Sequence, residues 1–285
     1  MDRETFLLAA TGGRSHITWA MFLPLHDTNE RTFLRYPWVN WTLILLSVVA
    51  FLYQIGGDEA HYVQTIYGFG MVPALLTGDA QLPAGVVHAP AWLTLLTSQF
   101  LHGGWMHLIG NMLFLLVFGD NVEDSMGHRK YLTFYLICGV VAALSQFATT
   151  SDPGTPMIGA SGAISGVLGA YLLLSPKSKV LVPIGFIPLY IPAWLLLVFW
   201  FGLQLFAAAG DTAGEAGVAW WAHIGGFVAG LVLVVPFKRR AVPLFGGEKP
   251  PRGLRVVLPG QQGQDPDQEP RSGPWQRRGR RGPWT

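Results

Sequence analysis

A chain of 285 residues with a formal net charge of +2 carries no field strong enough to gather nucleic acid or acidic ligands. Half of the residues are apolar (51%) and only 13% are charged, about half the share of a soluble domain, so the chain lacks the polar surface to stand alone in water. Its one cysteine, Cys138, lies in an apolar run, which rules out an intramolecular disulfide and reads as inert packing.

In chain order, residues 1–36 form a short segment containing Arg3, Arg14, Arg31 and Arg35, and the first twenty lack the apolar core of a secretory signal. Six apolar runs follow, at about residues 38–55, 100–118, 131–147, 157–174, 188–209 and 218–237. Each is long enough to cross a hydrocarbon core of about 30 Å. The fifth is ambiguous: it is apolar from Val180 onward and holds Pro183, Pro188 and Pro192, so it reads as a lead-in plus one helix or as two short helices.

Charge placement decides. With six crossings and both ends inside, all 19 Lys and Arg fall on the cytoplasmic side: the four above, Arg129 with Lys130, Lys177 with Lys179, and eleven from Lys238 onward. The three outer connections carry Asp58, Glu59, Asp79, Asp152, Asp211 and Glu215 and no Lys or Arg. The first of them is long, and its apolar pieces at 67–76 and 91–96 suit the membrane interface. The expected fold is an all-α polytopic membrane protein, with a six-helix bundle over 37–237. A disordered, basic cytoplasmic tail rich in Pro, Gly, Gln and Arg is expected over 238–285.

Polar side chains inside spanning helices are costly and tend to be functional. The second segment has His102, His107 and Asn111, the fourth Ser161 and Ser165, and the sixth His223. These three helices run in the same direction, so their polar groups share one depth below the outer surface. His107 and Asn111, four residues apart, share one helix face. Gly159, Gly162, Gly166 and Gly169 around the fourth helix, and Gly226 and Gly230 on the sixth, let backbones approach closely in lipid. That approach would bring Ser161 to His223, and a serine beside a base is an activated nucleophile. Asn111 and His107 are placed to donate hydrogen bonds to an oxyanion. A serine in a membrane helix ordinarily bonds back to its own backbone, and Ser165 and His102 are as readily structural as functional.

A His-Glu-x-x-His zinc motif is missing from the sequence, and no metal site is read from it. No acid sits in the middle of a spanning segment, which excludes an aspartyl dyad, weighs against a proton-coupled transporter, and leaves a Ser–His dyad rather than a triad.

With these residues in view, the sequence over about 37–237 resembles the rhomboid family of intramembrane serine proteases. His102-Gly-Gly-Trp-Met-His107-Leu-Ile-Gly-Asn111 is similar to that family's His-x-x-x-x-His-x-x-x-Asn pattern. Glu123-Asp-Ser-Met-Gly127 resembles its Glu-x-x-x-Gly pattern, Gly159-Ala-Ser161-Gly162 its nucleophile motif, and Ala222-His223-Ile-Gly-Gly226 with Gly230 its base motif. The resemblance implies a rhomboid-like bundle with Ser161 as nucleophile and His223 as general base. It further implies His107, Asn111 and backbone amides such as that of Gly162 as the oxyanion hole, and His102 as structural or water-retaining. It implies no cofactor, membrane-anchored protein substrates cut near the outer face, and no nucleic-acid partner. A non-catalytic, client-binding relative would ordinarily lack the serine or the histidine.

Two features depart from the family pattern. An aromatic that often follows the nucleophile by four residues is Ser165 here, with Trp220 or Trp221 as substitutes, and the outer-loop Trp-Arg is replaced by Trp92-Leu93-Thr94. Met21-Phe-Leu-Pro-Leu resembles the usual start of bacterial members, so residues 1–20 read as an extension or a misassigned start. A bacterial inner membrane is the expected location.

Overall fold

A computed structural model describes residues 23–184, 187–210 and 218–246. The expectations for residues 1–20, and for the tail beyond 246, lie outside the described residues. Among the described residues, five helices are long and apolar enough to cross a membrane. They are α1 (Trp38–Ile55), α4 (Trp105–Met126), α5 (His128–Thr149), α7 (Ala193–Gly210) and α8 (Trp220–Phe237). Between α1 and α4 lie α2 (Glu59–Phe69), α3 (Pro73–Thr77) and short helical turns from Ala91 to Phe100. The apolar pieces of that long connection are therefore helical, apart from a break at residues 70–72.

The expected count of six spans becomes five plus one shorter apolar helix, α6 (Ser161–Leu174), of 14 residues. At 1.5 Å per residue it reaches about 21 Å, short of a lipid-facing span. It has no need to face lipid, because eleven of its residues are buried. Residues 157–160, expected to open the helix, precede it instead, with Met157 and Met71 exchanging backbone bonds of 2.8 and 3.0 Å. Asp152, in the same connection, accepts from the Thr155 hydroxyl and, at 2.9 Å, from the Gly154 N–H. These bonds hold its carboxyl below the usual carboxylate range.

α6 is the axis of the bundle. α8 crosses it through facing glycines: a Cβ built at Gly226 would collide with the carbonyl oxygen of Gly162, and one at Gly230 with that of Gly166. On its other sides α6 meets α5, where a Cβ at Gly166 would lie 2.6 Å from the sulfur of Cys138. The core around it is filled by Phe118, Tyr131, Tyr135, Tyr171, Leu197 and Phe227, all buried. Outward-facing apolar side chains such as Leu45, Val49 and Leu52 on α1, and Val198, Phe199 and Phe206 on α7, stay exposed, as lipid-facing residues must.

α4 runs past residue 118, where the apolar run ends, through Asp120, Glu123 and Asp124 to Met126. Its middle, Leu115–Gly119, is a π-helical turn. Such a turn disturbs the regular ladder, and the Asn40 amide donates to the Leu115 carbonyl at 2.9 Å. The Tyr131 hydroxyl donates in turn to Asn40 at 2.8 Å. The carboxylates at the end of α4 are tolerated because each has donors. Glu123 accepts the Val39 and Asn40 N–H groups at the N-terminus of α1, at 3.1 and 2.8 Å. Asp124 accepts the N–H groups of Thr32, Phe33 and Leu34 at 2.8, 2.8 and 2.6 Å. Gly127 turns the chain from α4 into α5 at φ +87°, a conformation that favours glycine.

The ambiguous fifth stretch is a lead-in plus one helix. The lead-in is a hairpin of β2 (Lys179–Ile184) and β3 (Ile187–Pro192), with Val180 opposite Ile191 and Val182 opposite Leu189. β1 (His26–Asp27) pairs with β2 to complete a three-stranded sheet. Asp27 also takes the hydroxyl of Tyr171 and, at 3.0 Å, the amide of Asn121. The residues just after α8, placed by sequence in a disordered tail, are packed down: the Arg239 N–H donates to Ser125 at 2.8 Å and the Phe245 N–H to Leu173 at 2.6 Å. Segments on both flanks of the bundle thus dock at the end of α4 remote from His107.

Candidate active site

Ser161 is the first residue of α6, at the end where α4 and α8 also begin. Three helices therefore present their first turns together. Gly159 precedes Ser161 at φ +128°, and its N–H donates to the Ser98 carbonyl at 2.9 Å. A Cβ at Gly159 would lie 2.9 Å from Nε2 of His107, so glycine here also lets that ring approach. The first intrahelical bond of α6 is from the Ile164 N–H to the Ala160 carbonyl. The N–H groups of Ser161 and Gly162 precede it and have no acceptor within the helix.

His223 lies in the first turn of α8 and is 5% exposed. Its Nε2 is 2.9 Å from Oγ of Ser161, and its Nδ1 is 2.8 Å from Oε1 of Gln204 on α7. An amide oxygen only accepts, so Nδ1 carries the proton and Nε2 presents a lone pair to the serine hydroxyl. Trp200 and Trp220 frame the ring, with centroids 6.0 and 6.2 Å away. Trp220 was one of the two aromatics expected to replace the missing one; Trp221 is largely exposed. Ser165 donates to the Ser161 carbonyl at 2.7 Å, the ordinary back-bond of a helical serine, and does not enter the site.

His107 accepts the Gly103 N–H at Nδ1, at 3.2 Å. A neutral ring in that setting carries its proton on Nε2, the atom against Gly159. One turn further, Asn111 is 9% exposed and its Nδ2 is buried without a hydrogen-bond partner in the structure. A buried donor left unpaired costs about 1–3 kcal/mol, and it is the feature expected where a ligand oxygen is to be received. His102 sits behind His107, with ring centroids 5.2 Å apart. Gln54 of α1 clamps its backbone through two bonds, 2.9 Å from the His102 N–H and 3.0 Å to its carbonyl.

Other motif residues do not converge on the serine. Glu123 and Gly127 sit about 24 Å or more along α4 from His107, where they cap α1 and turn the chain. Gly226 and Gly230 act through the contact of α8 with α6. Among the described residues, no cluster of three or more His, Cys, Asp or Glu could hold a metal ion.

Gln204 and Trp200 are absent from the sequence reading. Trp200 carries no signal, as one aromatic in an apolar span. Gln204 does: it is the single amide, hydroxyl or charged side chain between Ala193 and Gly210.

A profile of the Rhomboid domain matches residues 89–240. The rhomboid protease GluP of Bacillus subtilis is 31% identical over 203 residues, covering 70% of this chain and 36% of GluP. Rhomboid-like protease 3 of Toxoplasma gondii is 27% identical over 186 residues, covering 62% of this chain and 63% of that protein. RHOMBOID-like protein 12, mitochondrial, of Arabidopsis thaliana is 32% identical over 149 residues, covering 47% and 43%. The match to GluP thus spans about a third of that protein's length.

Proposed function

The chain belongs to the rhomboid family and is an integral multi-pass membrane protein, and from that premise we propose that it is a serine endopeptidase acting on membrane-spanning proteins. The observation that carries the proposal is the 2.9 Å contact between Oγ of Ser161 and Nε2 of His223.

Oγ attacks the carbonyl carbon of the scissile bond while His223 Nε2 takes the hydroxyl proton. The developing oxyanion is received by Nδ2 of Asn111, Nε2 of His107 and the backbone N–H groups of Ser161 and Gly162. The imidazolium returns its proton to the departing amine, leaving an acyl-enzyme. Water, deprotonated by the same nitrogen, then hydrolyses the ester and restores the serine. The chemistry uses no metal or organic cofactor.

The distribution of Lys and Arg supports an orientation with both termini cytoplasmic and the Ser161 end toward the outer face. On that orientation substrates are cut near the outer end of their spanning helix, and a bacterial plasma membrane is the proposed location.

The test is cleavage of a single-spanning reporter by protein reconstituted in liposomes. Asn111→Ala removes one oxyanion donor and is expected to lower kcat by about 10²–10³-fold, with KM little changed. An unchanged kcat in that variant would remove Asn111 from the mechanism.

A further inference from the structure

We propose that Gln204 is the positioning residue for His223, a neutral amide standing where a soluble serine hydrolase has a carboxylate; the inference rests on the protease reading above. Its warrant is the geometry of one side chain. Gln204 is 2% exposed in an otherwise apolar helix. A buried amide in a spanning segment needs partners for both its ends, and Gln204 has them. Its Nε2 donates to the Trp200 carbonyl one turn back, at 3.3 Å, and its Oε1 lies 2.8 Å from Nδ1 of His223.

The first bond fixes the second. Trp200 offers a carbonyl, which accepts only, so the amide must turn its NH₂ toward it and its oxygen toward the histidine. A neutral imidazole can hold its proton on either nitrogen, and only the form protonated at Nδ1 leaves Nε2 bare to take the proton of Ser161. In a serine triad the acid has this same task and is not itself protonated. Here α6, α7 and α8 contain no Asp or Glu. An amide does the orienting without a charge in the bilayer. When the ring becomes imidazolium, Nδ1–H keeps its acceptor, and the Trp200 ring 6.0 Å away adds cation–π support. Gln204 acts through the base and touches no substrate.

Two measurements test this. In Gln204→Leu, kcat is expected to fall on the order of 10²-fold, the lower end of what a positioned base contributes, with KM unchanged. Gln204→Glu, which keeps an acceptor oxygen, is expected to recover most of that loss. The second needs only the wild type: ¹⁵N spectra of histidine-labelled protein are expected to show neutral His223 protonated at Nδ1 and hydrogen-bonded there. A kcat in Gln204→Leu within about threefold of wild type, or a wild-type ring protonated at Nε2, would overturn the proposal. The spectrum decides even if Gln204→Leu fails to fold. Absence of cleavage by the wild type would strike the protease reading instead and leave the tautomer result standing.

Discussion

Ser161→Ala and His223→Ala are each expected to lower cleavage of a membrane-spanning reporter by about 10⁶-fold, to the background of the assay. In the proposed mechanism nucleophile and base act as one unit, so either loss costs nearly all of the rate and the double variant is no worse than the singles. Both substitutions should leave the bundle standing. Ser161 and His223 meet each other at the mouth of three helices, while the core is built by Phe118, Tyr131, Tyr135 and Tyr171 elsewhere. The check is a cleavage assay paired with a thermal melt in the same detergent. Turnover above background in folded Ser161→Ala would remove the serine from the mechanism.

The second large effect is on packing. Gly226→Val and Gly230→Val place side-chain atoms where the carbonyl oxygens of Gly162 and Gly166 lie. Overpacking a core commonly costs about 1–3 kcal/mol. Here the obstacle is backbone, which cannot change rotamer, so α8 must move away from α6 and the loss should reach at least the top of that range. The same movement carries His223 from Ser161, and a displacement of about 1 Å can cost 10²-fold in rate. A lower melting temperature and a lower kcat are therefore expected together. Gly202→Val on α7 is the control: a Cβ there meets nothing within 4 Å, so both quantities should stay at wild-type values.

Most of the candidate site could be drawn from the sequence because lipid makes polar residues conspicuous. His107, Asn111, Ser161 and His223 stand out of apolar runs, and alternating helix direction puts them at one end before any coordinates are known. Glycine spacing on the fourth and sixth segments anticipated the close crossing of α6 and α8. What was not legible depends on partners distant in sequence. α4 continues through Glu123 and Asp124 because their carboxylates accept N–H groups from residues 39–40 and 32–34, some eighty to ninety positions away, while Asp120 meets the guanidinium of Arg31. α6 is shorter than a lipid-crossing helix because its neighbours enclose it, which hydropathy cannot report. The apolar run from Val180 to Pro192 gave no sign of a β-hairpin, since its alternation is masked by residues that are apolar on both faces. Gln204 was visible as an isolated polar residue, but its meaning required knowing that α7 faces His223.

Ser165 stands where relatives carry an aromatic. At that position the sequence offered a missing aromatic and a question about how the His223 ring is held. The answer lies on a different helix: Gln204 from α7 bonds the ring, while Trp200 and Trp220 flank it. Ser165 bonds back to the Ser161 carbonyl and takes no part in holding the ring.

Reaction of the membrane-embedded protein with a fluorophosphonate, followed by peptide mapping of the adduct, tests the central claim most directly, because that reagent needs a serine already activated by a base. A single adduct on Ser161, lost in His223→Ala while the helices remain folded, is the predicted result. A folded protein that forms no adduct at Ser161, or one that labels equally well without His223, would contradict the account.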